Sequence, residues 1–436
     1  MTRERAEWQL EGAKALIAEV GARLDVDAFV RLWDGSRLPL GPNARGAFEI
    51  AIADPGVIAS MLRRPSLDTL IRHYVDKRID FSGGTIIDFG QQLQAGRRAL
   101  KLSQLPKLKL LTSLQPFLLA GSDPPADQGG FAGEITGKRR RIADNKEFIQ
   151  FHYDLSNEFY ALFLDPEMVY SCAYFTDWTN DLATAQRDKL DMICRKLRLK
   201  PGERLLDIGS GWGGLVCHAA GNYGVKAHGI TLSERQLAYA REKVRRLGLE
   251  SQVTFELKDY NHVEGTFDKI ASIGMYEHIG LKNIPGYMGK VRGLLADNGL
   301  FLNHAIARRA PKTTILPRRM RPEKRAIAKY IFPGGELDDI GHSLVAMERA
   351  GFEVHDVEGW RNHYALTCRL WCERLTAERE AAIAHVGEQK YRIWVAYLAG
   401  VSLAFSRGTL RLFQTLASKT AKGPAPLPPT RADLYR

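Results

Sequence analysis

The sequence predicts an α/β protein with a doubly wound, parallel sheet, preceded by a small N-terminal α+β domain. Three observations lead to this fold class. From about residue 185, short apolar runs typical of buried strands alternate with segments of helical periodicity. One of these runs, 204–208, continues directly into a glycine-rich loop, as strands of doubly wound sheets do at ligand sites. The first 120 residues lack the alternation and mix helical and strand-like runs, which indicates a separate domain.

Composition narrows the function classes. The chain has 436 residues, of which 45% are hydrophobic and 26% charged, so wholesale disorder and fibrous architectures are excluded. Five cysteines are few and odd in number, which disfavours a disulfide framework and favours a reducing compartment such as the cytoplasm. The net charge of +12 favours a polyanionic partner, either a nucleic acid or an anionic membrane surface. No apolar run reaches the ~18 residues of a spanning helix, so any action on a membrane is expected from its surface.

The N-terminal domain, residues 1–120, is expected to combine helices with two strands. Its predicted elements are helices at 5–25, 57–64 and 67–77 and strands at 28–33 and 47–53. Residues 97–118 mix leucines with five basic residues, which fits either a helix with a solvated basic face or a membrane-surface element. Residues 121–145 lose all apolar periodicity and are predicted to be a flexible linker.

The main domain, residues 146–415, carries the strand–helix alternation. Its predicted elements are helices at 184–197, 214–223 and 233–247 and strands at 204–208, 226–230, 253–257, 267–273 and 299–305. Residues 416–436 are predicted to be a frayed tail, because four prolines between 424 and 429 are incompatible with a helix or a central strand.

The glycine loop is the strongest local signal. Gly209-Ser210-Gly211-Trp212-Gly213 follows a strand and opens a helix, and glycines there allow tight turning and close backbone approach of a ligand. The spacing is not a dinucleotide fingerprint, and residues 229–233 offer no carboxylate for a nicotinamide ribose. The Asp-x-Gly-x-Gly form instead resembles motif I of class I S-adenosylmethionine-dependent methyltransferases. The bland alternative is a glycine turn without a ligand.

A longer series of motifs makes the resemblance specific. In chain order these motifs stand at 151–160, 170–175, 207–213, 231–236, 276–280 and 329–335. Together they resemble the cyclopropane-fatty-acyl-phospholipid synthase family, which includes the mycolic acid cyclopropane synthases, over about residues 150–415. The resemblance implies a class I methyltransferase fold with a doubly wound, Rossmann-like sheet. It also implies that the N-terminal domain docks lipid.

The resemblance implies a lipid-modifying activity. A methyl(ene) carbon would move from S-adenosylmethionine to the cis double bond of an unsaturated phospholipid acyl chain, and loss of a proton would close a cyclopropane ring. The alternative product is a methyl-branched or methylene fatty acid, such as a furan fatty acid precursor. Because a developing carbocation reacts with water, the site should be apolar and aromatic. Tyr170, Tyr174, Phe175 and Trp178 are candidates for this lining, although ordinary core packing explains Phe175 and Trp178 equally well.

The base implied by the resemblance is a bound bicarbonate ion. Glu277, His304, Tyr364 and the backbone of Ile306 match its ligands, and Cys172 matches a cysteine beside the active site. Glu277 and His304 follow or end predicted strands, where open α/β sheets bind ligands. Taken singly, Glu277 could be a solvated loop acid, His304 a core histidine and Cys172 a small buried hydrophobe.

Cofactor-contacting positions also follow from the resemblance. They are Tyr170, Ser171, Gly209, Ser210, Gly211, Trp212, Gly213, Thr231, Leu232, Ser233, Gln236, Asp259 and Tyr260. No metal site is predicted. Val401 stands where many family members have a cysteine, so a thiol nucleophile at that position is not needed here.

Two other classes of function remain as alternatives. A nucleic-acid methyltransferase would suit the basic charge, but 275–278 lacks the Asn/Asp-Pro-Pro-Tyr/Phe motif of amino-group methyltransferases, and no nucleic-acid-binding signature is present. A non-catalytic lipid-binding protein is disfavoured by the intact glycine loop and by Glu277. The favoured hypothesis is a bacterial cytoplasmic enzyme, associated peripherally with the inner face of an anionic membrane and without a nucleic-acid partner. The favoured hypothesis also allows the enzyme to be a homodimer. The basic segment 308–325 is a candidate membrane contact.

Overall fold

The computed structural model describes residues 3–46, 48–97, 107–118, 155–310, 335–419, 423–425 and 427–435. These residues divide into two compact units. The first unit holds the described residues of Met1–Gly130 and Gly387–Leu403, and the second holds those of Phe131–Arg318, Ile331–Val386 and Ala404–Arg436. The linker predicted at 121–145, most of the motif at 329–335 and most of the basic segment 308–325 lie outside the described residues.

In the described part of the first unit, four short strands form one sheet. They are β1 (Phe29–Arg31), β2 (Arg37–Pro39), β3 (Glu49–Ile52) and β4 (Ile79–Ser82), in the order β2-β1-β3-β4. β1 pairs parallel with β3, and the other two pairs are antiparallel. β1 and β3 lie within the two predicted strands, whereas β2 and β4 were not predicted. Strands of three or four residues are too short to show a clear alternation.

Helices cover this small sheet. They are Arg3–Gly21, Pro55–Arg63, Leu67–Val75, Ile86–Arg97, Lys107–Leu118 and the part of Glu388–Ser406 up to residue 403. Asp54 caps the helix Pro55–Arg63 by accepting from Gly56 N, and Ser66 caps Leu67–Val75 in the same way from Thr69 N. Ala13 and Ile17 of the first helix pack in one core with Val30 and Phe117.

The second unit confirms the predicted α/β class. Within its described residues, seven strands lie in the order β10-β11-β9-β8-β5-β6-β7. Their bounds are β5 Arg204–Ile208, β6 Lys226–Thr231, β7 Val253–Leu257, β8 Phe267–Ile273, β9 Leu295–Arg308, β10 Phe352–Gly359 and β11 Leu410–Lys419. β5 to β9 pair in parallel, but β11 runs antiparallel to both β9 and β10. The sheet is therefore mostly parallel, with an antiparallel edge that the sequence did not predict.

The tail prediction is wrong for the residues that the structure describes between 416 and 435. Residues 416–419 complete β11, and Ala432–Tyr435 form a 3-10 helix. Leu434 is buried, and Arg198 pairs with Asp433. The prolines end the strand without releasing the chain, because this apolar contact and ion pair hold the last turn.

Helices lie on both faces of the large sheet. They are Asn157–Ala161, Leu182–Lys196, Gly214–Tyr223, Glu234–Leu247, Ile284–Leu294, Ile340–Arg349, Arg361–Ala377 and Arg379–Val386. Neighbouring residues of β5 show the two faces, since successive side chains of a strand point to opposite sides. Leu205 packs in a core with Leu190 and Val216, whereas Leu206 packs with Tyr287.

The strand order determines where a ligand can bind. β6 and β7 lie on one side of β5 in the sheet, and β8 and β9 lie on the other. The order of the strands therefore reverses at β5. In open α/β sheets a crevice forms beyond the carboxyl ends of the strands at this switch point. The glycine loop begins there. Among the described residues, no helix is both long enough and apolar enough to span a membrane.

Candidate active site

The glycine loop links the end of β5 to the helix Gly214–Tyr223. Gly209, Gly211 and Gly213 all adopt left-handed backbone angles, with φ of +81°, +55° and +83°. The N–H groups of Gly209 and Ser210 both donate to Ile230 O, at 3.1 and 2.9 Å, which ties the loop to β6. This conformation explains why the loop requires glycines.

Gly211 and Gly213 serve different purposes in the loop. A Cβ atom on Gly211 would meet nothing within 4 Å, so its space is open toward the adjoining cavity. A Cβ atom on Gly213 would lie 2.7 Å from the ring of Phe255. Gly211 therefore leaves room for a ligand, and Gly213 leaves room for the core.

An open cavity lies beside this loop, and its empty space of about 980 Å³ includes open solvent. Eleven of the thirteen predicted cofactor residues line it, namely Tyr170, Ser171, Gly209, Ser210, Gly211, Trp212, Thr231, Leu232, Gln236, Asp259 and Tyr260. Gly213 and Ser233 do not. Ser233 instead caps the helix Glu234–Leu247 by accepting from Gln236 N at 3.3 Å.

The predicted cofactor residues do not include Lys189 or Asp207, two charged residues that line this cavity, although Asp207 belongs to the Asp-x-Gly-x-Gly motif. Lys189 is buried, and its Nζ donates to Ser171 Oγ at 2.9 Å. Burial lowers the pKa of Lys189 to about 8, against the opposing charge of Asp165. Burial also raises the pKa of Asp207 to about 7, although the charge of Lys189 opposes this shift. Lys189 lies four residues from Ala185 in the predicted helix, on its buried face, and this position was the available signal.

Glu277 lies just beyond the carboxyl end of β8, in the 3-10 turn Tyr276–His278. Its Oε1 accepts a hydrogen bond from Ile306 N on β9. Its Oε2 is buried and has no hydrogen-bond partner among the described residues. Burial raises the pKa of Glu277 to about 7, although the bond from Ile306 N lowers it. Met275 and His278 of the same segment line the cavity. Glu277 lies between these two residues in the chain.

His304 lies on β9, opposite the end of β8. Gly274 N donates to His304 O at 2.9 Å, and Ile273 is its register partner. His304 Nδ1 is 3.0 Å from Gln414 Nε2, whereas Nε2 is buried and has no partner within the described part of the chain. Burial lowers the pKa of His304 well below its usual value, and the charges of Lys189 and Lys196 act in the same direction.

Trp360 connects the remaining candidates, and it was not predicted. Its ring meets that of His304 edge-on, with centroids 5.6 Å apart. Its carbonyl accepts from Cys172 Sγ at 3.9 Å and from Tyr364 N at 3.1 Å. Tyr364 therefore follows Trp360 by one helical turn, and its ring stacks on Phe405. Trp360 belongs to none of the motifs, so the sequence carried no signal for it.

Cys172 behaves as a small buried hydrophobe. It is fully buried, and its Sγ donates to Ala173 O at 3.2 Å. Burial raises the pKa of this thiol well above its usual range. Because the thiolate is the reactive form, this geometry favours packing over nucleophilic chemistry.

The four candidate aromatic residues have different surroundings. Tyr170 packs against Trp371, and Tyr174 packs between Trp360 and His363. Phe175 is buried, whereas Trp178 is 56% exposed. Tyr170 also lines the cavity, whereas Trp178 lies at the surface of the unit.

Comparison with known proteins gives consistent matches. The family model for mycolic acid cyclopropane synthetase matches residues 140–415. A probable fatty acid methyltransferase of Pseudomonas putida is 38% identical over 419 residues, covering 93% of this chain and 96% of that protein. The cyclopropane-fatty-acyl-phospholipid synthase of Escherichia coli K12 is 38% identical over 285 residues, covering 65% of this chain and 70% of that protein. The solved structure of mycolic acid cyclopropane synthase CmaA1 with SAH and CTAB has a TM-score of 0.59 at 34% identity, covering 63% of this chain and 98% of that one.

Proposed function

The chain belongs to the mycolic acid cyclopropane synthetase family and is an S-adenosylmethionine-dependent methyltransferase, and from this we propose its substrate and product. It transfers a methyl carbon to the cis double bond of an unsaturated phospholipid acyl chain, and loss of a proton then closes a cyclopropane ring. The observation that carries this proposal is that Glu277 Oε2 and His304 Nε2 are each buried without a hydrogen-bond partner among the described residues, while Met275 and His278, near Glu277 in the chain, line the glycine-loop cavity. A carboxylate that accepts and an imidazole N–H that donates suit a site that holds the base for a departing proton.

The cavity residues fit S-adenosylmethionine. The open space at Gly211 admits a ligand close to the backbone, and the buried Asp207 Oδ1 has no partner among the described residues. Asp207 and Lys189 bring opposite charges to the cavity wall, which suit the ammonium and carboxylate groups of an amino-acid arm. When bound, S-adenosylmethionine supplies an electrophilic methyl group. The protein's contribution is to hold donor and alkene in reactive alignment.

We propose that Glu277 helps to hold a small oxyanion that carries one proton. Ionised Glu277 would accept through Oε2, and His304 Nε2–H and the Tyr364 hydroxyl would donate. Ile306 N–H is already bonded to Glu277 Oε1, so it orients the carboxylate. We propose that bicarbonate is this ion. When bound, it supplies the base for the departing proton.

Water must be kept from the developing positive charge. Tyr174 and Trp360 pack with centroids 4.7 Å apart, and Trp360 extends this aromatic packing to His304. Aromatic faces attract a cation and offer no nucleophile. This explains the aromatic surroundings of His304.

Lipid analysis tests the proposed function. The wild-type chain and Glu277→Gln are expressed separately in a bacterium that lacks cyclopropane lipids, and its phospholipids are analysed by mass spectrometry. Wild type should add one CH2 to monounsaturated acyl chains, and proton NMR of the isolated fatty esters should show the shielded ring methylene. Glu277→Gln should add little or none. Methylation of a head group, or of no lipid at all, contradicts the proposal.

A second product is supported by one specific observation. The relative that matches 93% of this chain is named a probable fatty acid methyltransferase. If the departing proton came from a position that leaves a double bond, the product would be a methyl-branched or methylene acyl chain. The same NMR spectra separate these outcomes, because vinyl or methyl-branch signals would replace the ring methylene.

We further propose that the enzyme works on the inner leaflet of an anionic membrane from the cytoplasmic side. The net charge of +12 supports this proposal, since basic residues near an anionic surface are attracted to it. The first unit is the proposed lipid-docking domain.

A further inference from the structure

A row of polar side chains, most of them buried, extends from His304 on β9 to residues of β11 and β10. Glu358 on β10 pairs with Lys196, the last residue of the helix Leu182–Lys196. Lys196 Nζ donates to Gln414 Oε1 at 2.7 Å, and Gln414 Nε2 is 3.0 Å from His304 Nδ1. Lys196, Gln414 and His304 are each only 1% exposed. Such a row inside a sheet is costly unless every member is paired.

Lys196 determines the orientation of the Gln414 amide. An ammonium group only donates hydrogen bonds, so the amide atom facing it must be the carbonyl oxygen. The amide NH2 group then faces His304 Nδ1 and donates to it. The orientation therefore follows from the hydrogen-bond network itself, which is the proper basis for assigning an amide.

The same logic determines the tautomer of His304. An Nδ1 atom that accepts a hydrogen bond carries no proton, so the neutral ring holds its proton on Nε2. An imidazolium would place its Nδ1–H against the NH2 group of Gln414, donor against donor. Burial and the charges of Lys189 and Lys196 also lower the pKa of His304 and keep the ring neutral.

We propose that Gln414 and Lys196, with Glu358 balancing the lysine charge, are positioning residues that hold His304 as the Nε2–H tautomer. In this state His304 donates a hydrogen bond into the site and does not take up the proton lost from the substrate. The inference rests on the proposed function, because it assigns roles within that proton removal. It leaves the proton to the ion held by Glu277.

The strand register makes the row rigid. Gln414 and His304 are direct partners in the antiparallel pair of β11 and β9, so the two side chains stand side by side on one face. Lys196 also lies over the ring of Trp360, 5.1 Å from its centroid, while the edge of that tryptophan contacts His304. His304 is thus held from two directions.

The tautomer of His304 can be measured directly by NMR. Protein labelled with 15N at histidine gives long-range proton–nitrogen spectra in which the two neutral tautomers and the imidazolium differ. In the wild type, the signal that is missing from His304→Gln should be that of a neutral Nε2–H ring. Wild-type His304 found as the Nδ1–H tautomer, or as imidazolium at neutral pH, overturns the proposal.

Gln414→Glu inverts the hydrogen bond with little change of shape. The new carboxylate accepts from both Lys196 and His304, so the ring should switch to the Nδ1–H tautomer. Turnover should fall about 100-fold, as loss of a preorganised donor predicts. Affinity for S-adenosylhomocysteine should change less than about threefold, because Gln414 does not line the cofactor cavity. A switched tautomer with wild-type turnover overturns the proposal.

Two further variants keep the test decisive. His355→Gln alters the histidine of β10 that bonds Ser418, and it should change neither the tautomer nor turnover. If Gln414→Glu does not fold, the double variant Lys196→Gln with Glu358→Gln removes both charges. Its Gln414 amide can then turn, so a mixture of His304 tautomers is expected, and a pure Nε2–H ring overturns the proposal. The tautomer is read without lipid substrate, so an enzyme without lipid methylation fails the proposed function independently of this result.

Discussion

Gly211 and its open surroundings give a prediction at the scale of single residues. Gly211→Ala should cost on the order of 1 kcal/mol of stability, because φ is +55°. Its new methyl group should enter the cofactor cavity, so affinity for S-adenosylhomocysteine should fall at least about tenfold, which corresponds to 1.4 kcal/mol. Isothermal calorimetry measures the affinity, and thermal unfolding measures the stability.

Gly248 is the matched control for Gly211. It has φ of +65°, and a Cβ there also meets nothing within 4 Å, but it ends the helix Glu234–Leu247 and is not among the cavity residues. Gly248→Ala should lose similar stability and keep wild-type affinity. Unchanged affinity in Gly211→Ala would remove the glycine loop from the cofactor site.

Glu277 gives a prediction about stability and pH. Burial raises its pKa from 4.5 to about 7, so the folded protein binds this proton more tightly than the unfolded chain. The resulting stabilisation is complete below about pH 4.5 and is lost as pH rises through about 7. Glu277→Gln has no ionisable group at this position, so its stability does not fall in this way. Its stability relative to the wild type should therefore increase from pH 5 to pH 8, by on the order of 3 kcal/mol.

Scanning calorimetry of wild type and Glu277→Gln across that pH range measures the effect. The difference in melting temperature should widen in favour of the variant as pH rises, while the variant's turnover is lost. Parallel stability curves would contradict a raised pKa at this position. The pairing of lost activity with gained stability distinguishes a functional buried acid from a structural one.

The predictability of site residues depended on their surroundings. Glu277 and His304 could be proposed from the sequence, because both match positions of the family and both lie beside predicted strand ends. Gln414 and Lys196 could not, because a buried polar residue becomes interpretable only when its partner across the sheet is known. Trp360 also could not be predicted, because its contact with His304 becomes visible only in the folded structure.

At the scale of elements, strands with a local sequence signal were predicted, and strands defined by long-range pairing were not. The strands β5 to β8 were predicted nearly to their ends, because each is a short run rich in apolar residues, as buried strands are. β10 and β11 were missed, since their antiparallel pairing depends on contacts far apart in the sequence. This omission also hid Gln414 and Glu358, which lie on those two strands.

The short helix Asn157–Ala161 supports the glycine loop, and this gives an element-scale prediction. Trp212 Nε1 donates to Asn157 Oδ1 at 2.8 Å, and its ring packs 4.9 Å from that of Tyr160. Asn157→Ala should leave the indole N–H without this acceptor. At about 1 kcal/mol for the lost bond, affinity for S-adenosylhomocysteine should fall roughly fivefold.

Asn222→Ala provides the comparison for Asn157→Ala. Asn222 Nδ2 donates to His218 O at 2.9 Å on the exposed end of another helix, and neither residue is among those lining the cofactor cavity. Calorimetry should show wild-type affinity for this variant. Equal affinities for all three proteins would show that the helix does not hold the loop.

At the scale of the whole molecule, the sequence predicted the fold class, but its charge did not decide the class of partner. The α/β class followed from the strand–helix alternation, but the net charge of +12 left nucleic acid and membrane open. The motifs favoured lipid, because they contain no nucleic-acid signature. The proposed membrane contact can be tested by changing the charge of the basic segment.

Charge reversal in the basic segment gives the last prediction. Changing Arg318, Arg319, Arg321 and Arg325 to Glu should weaken binding to anionic vesicles markedly, since each basic residue near such a surface contributes about 1 kcal/mol. Binding to zwitterionic vesicles should change less. Added salt should reduce the difference, because it screens exposed charges beyond about 10 Å. Co-sedimentation across a salt series measures both effects.

The matched control reverses Lys200, Lys226, Arg245 and Arg246, which are exposed residues of the second unit. If both quadruple variants lose binding equally, net charge and not the segment is responsible; if neither does, the segment is not a membrane contact.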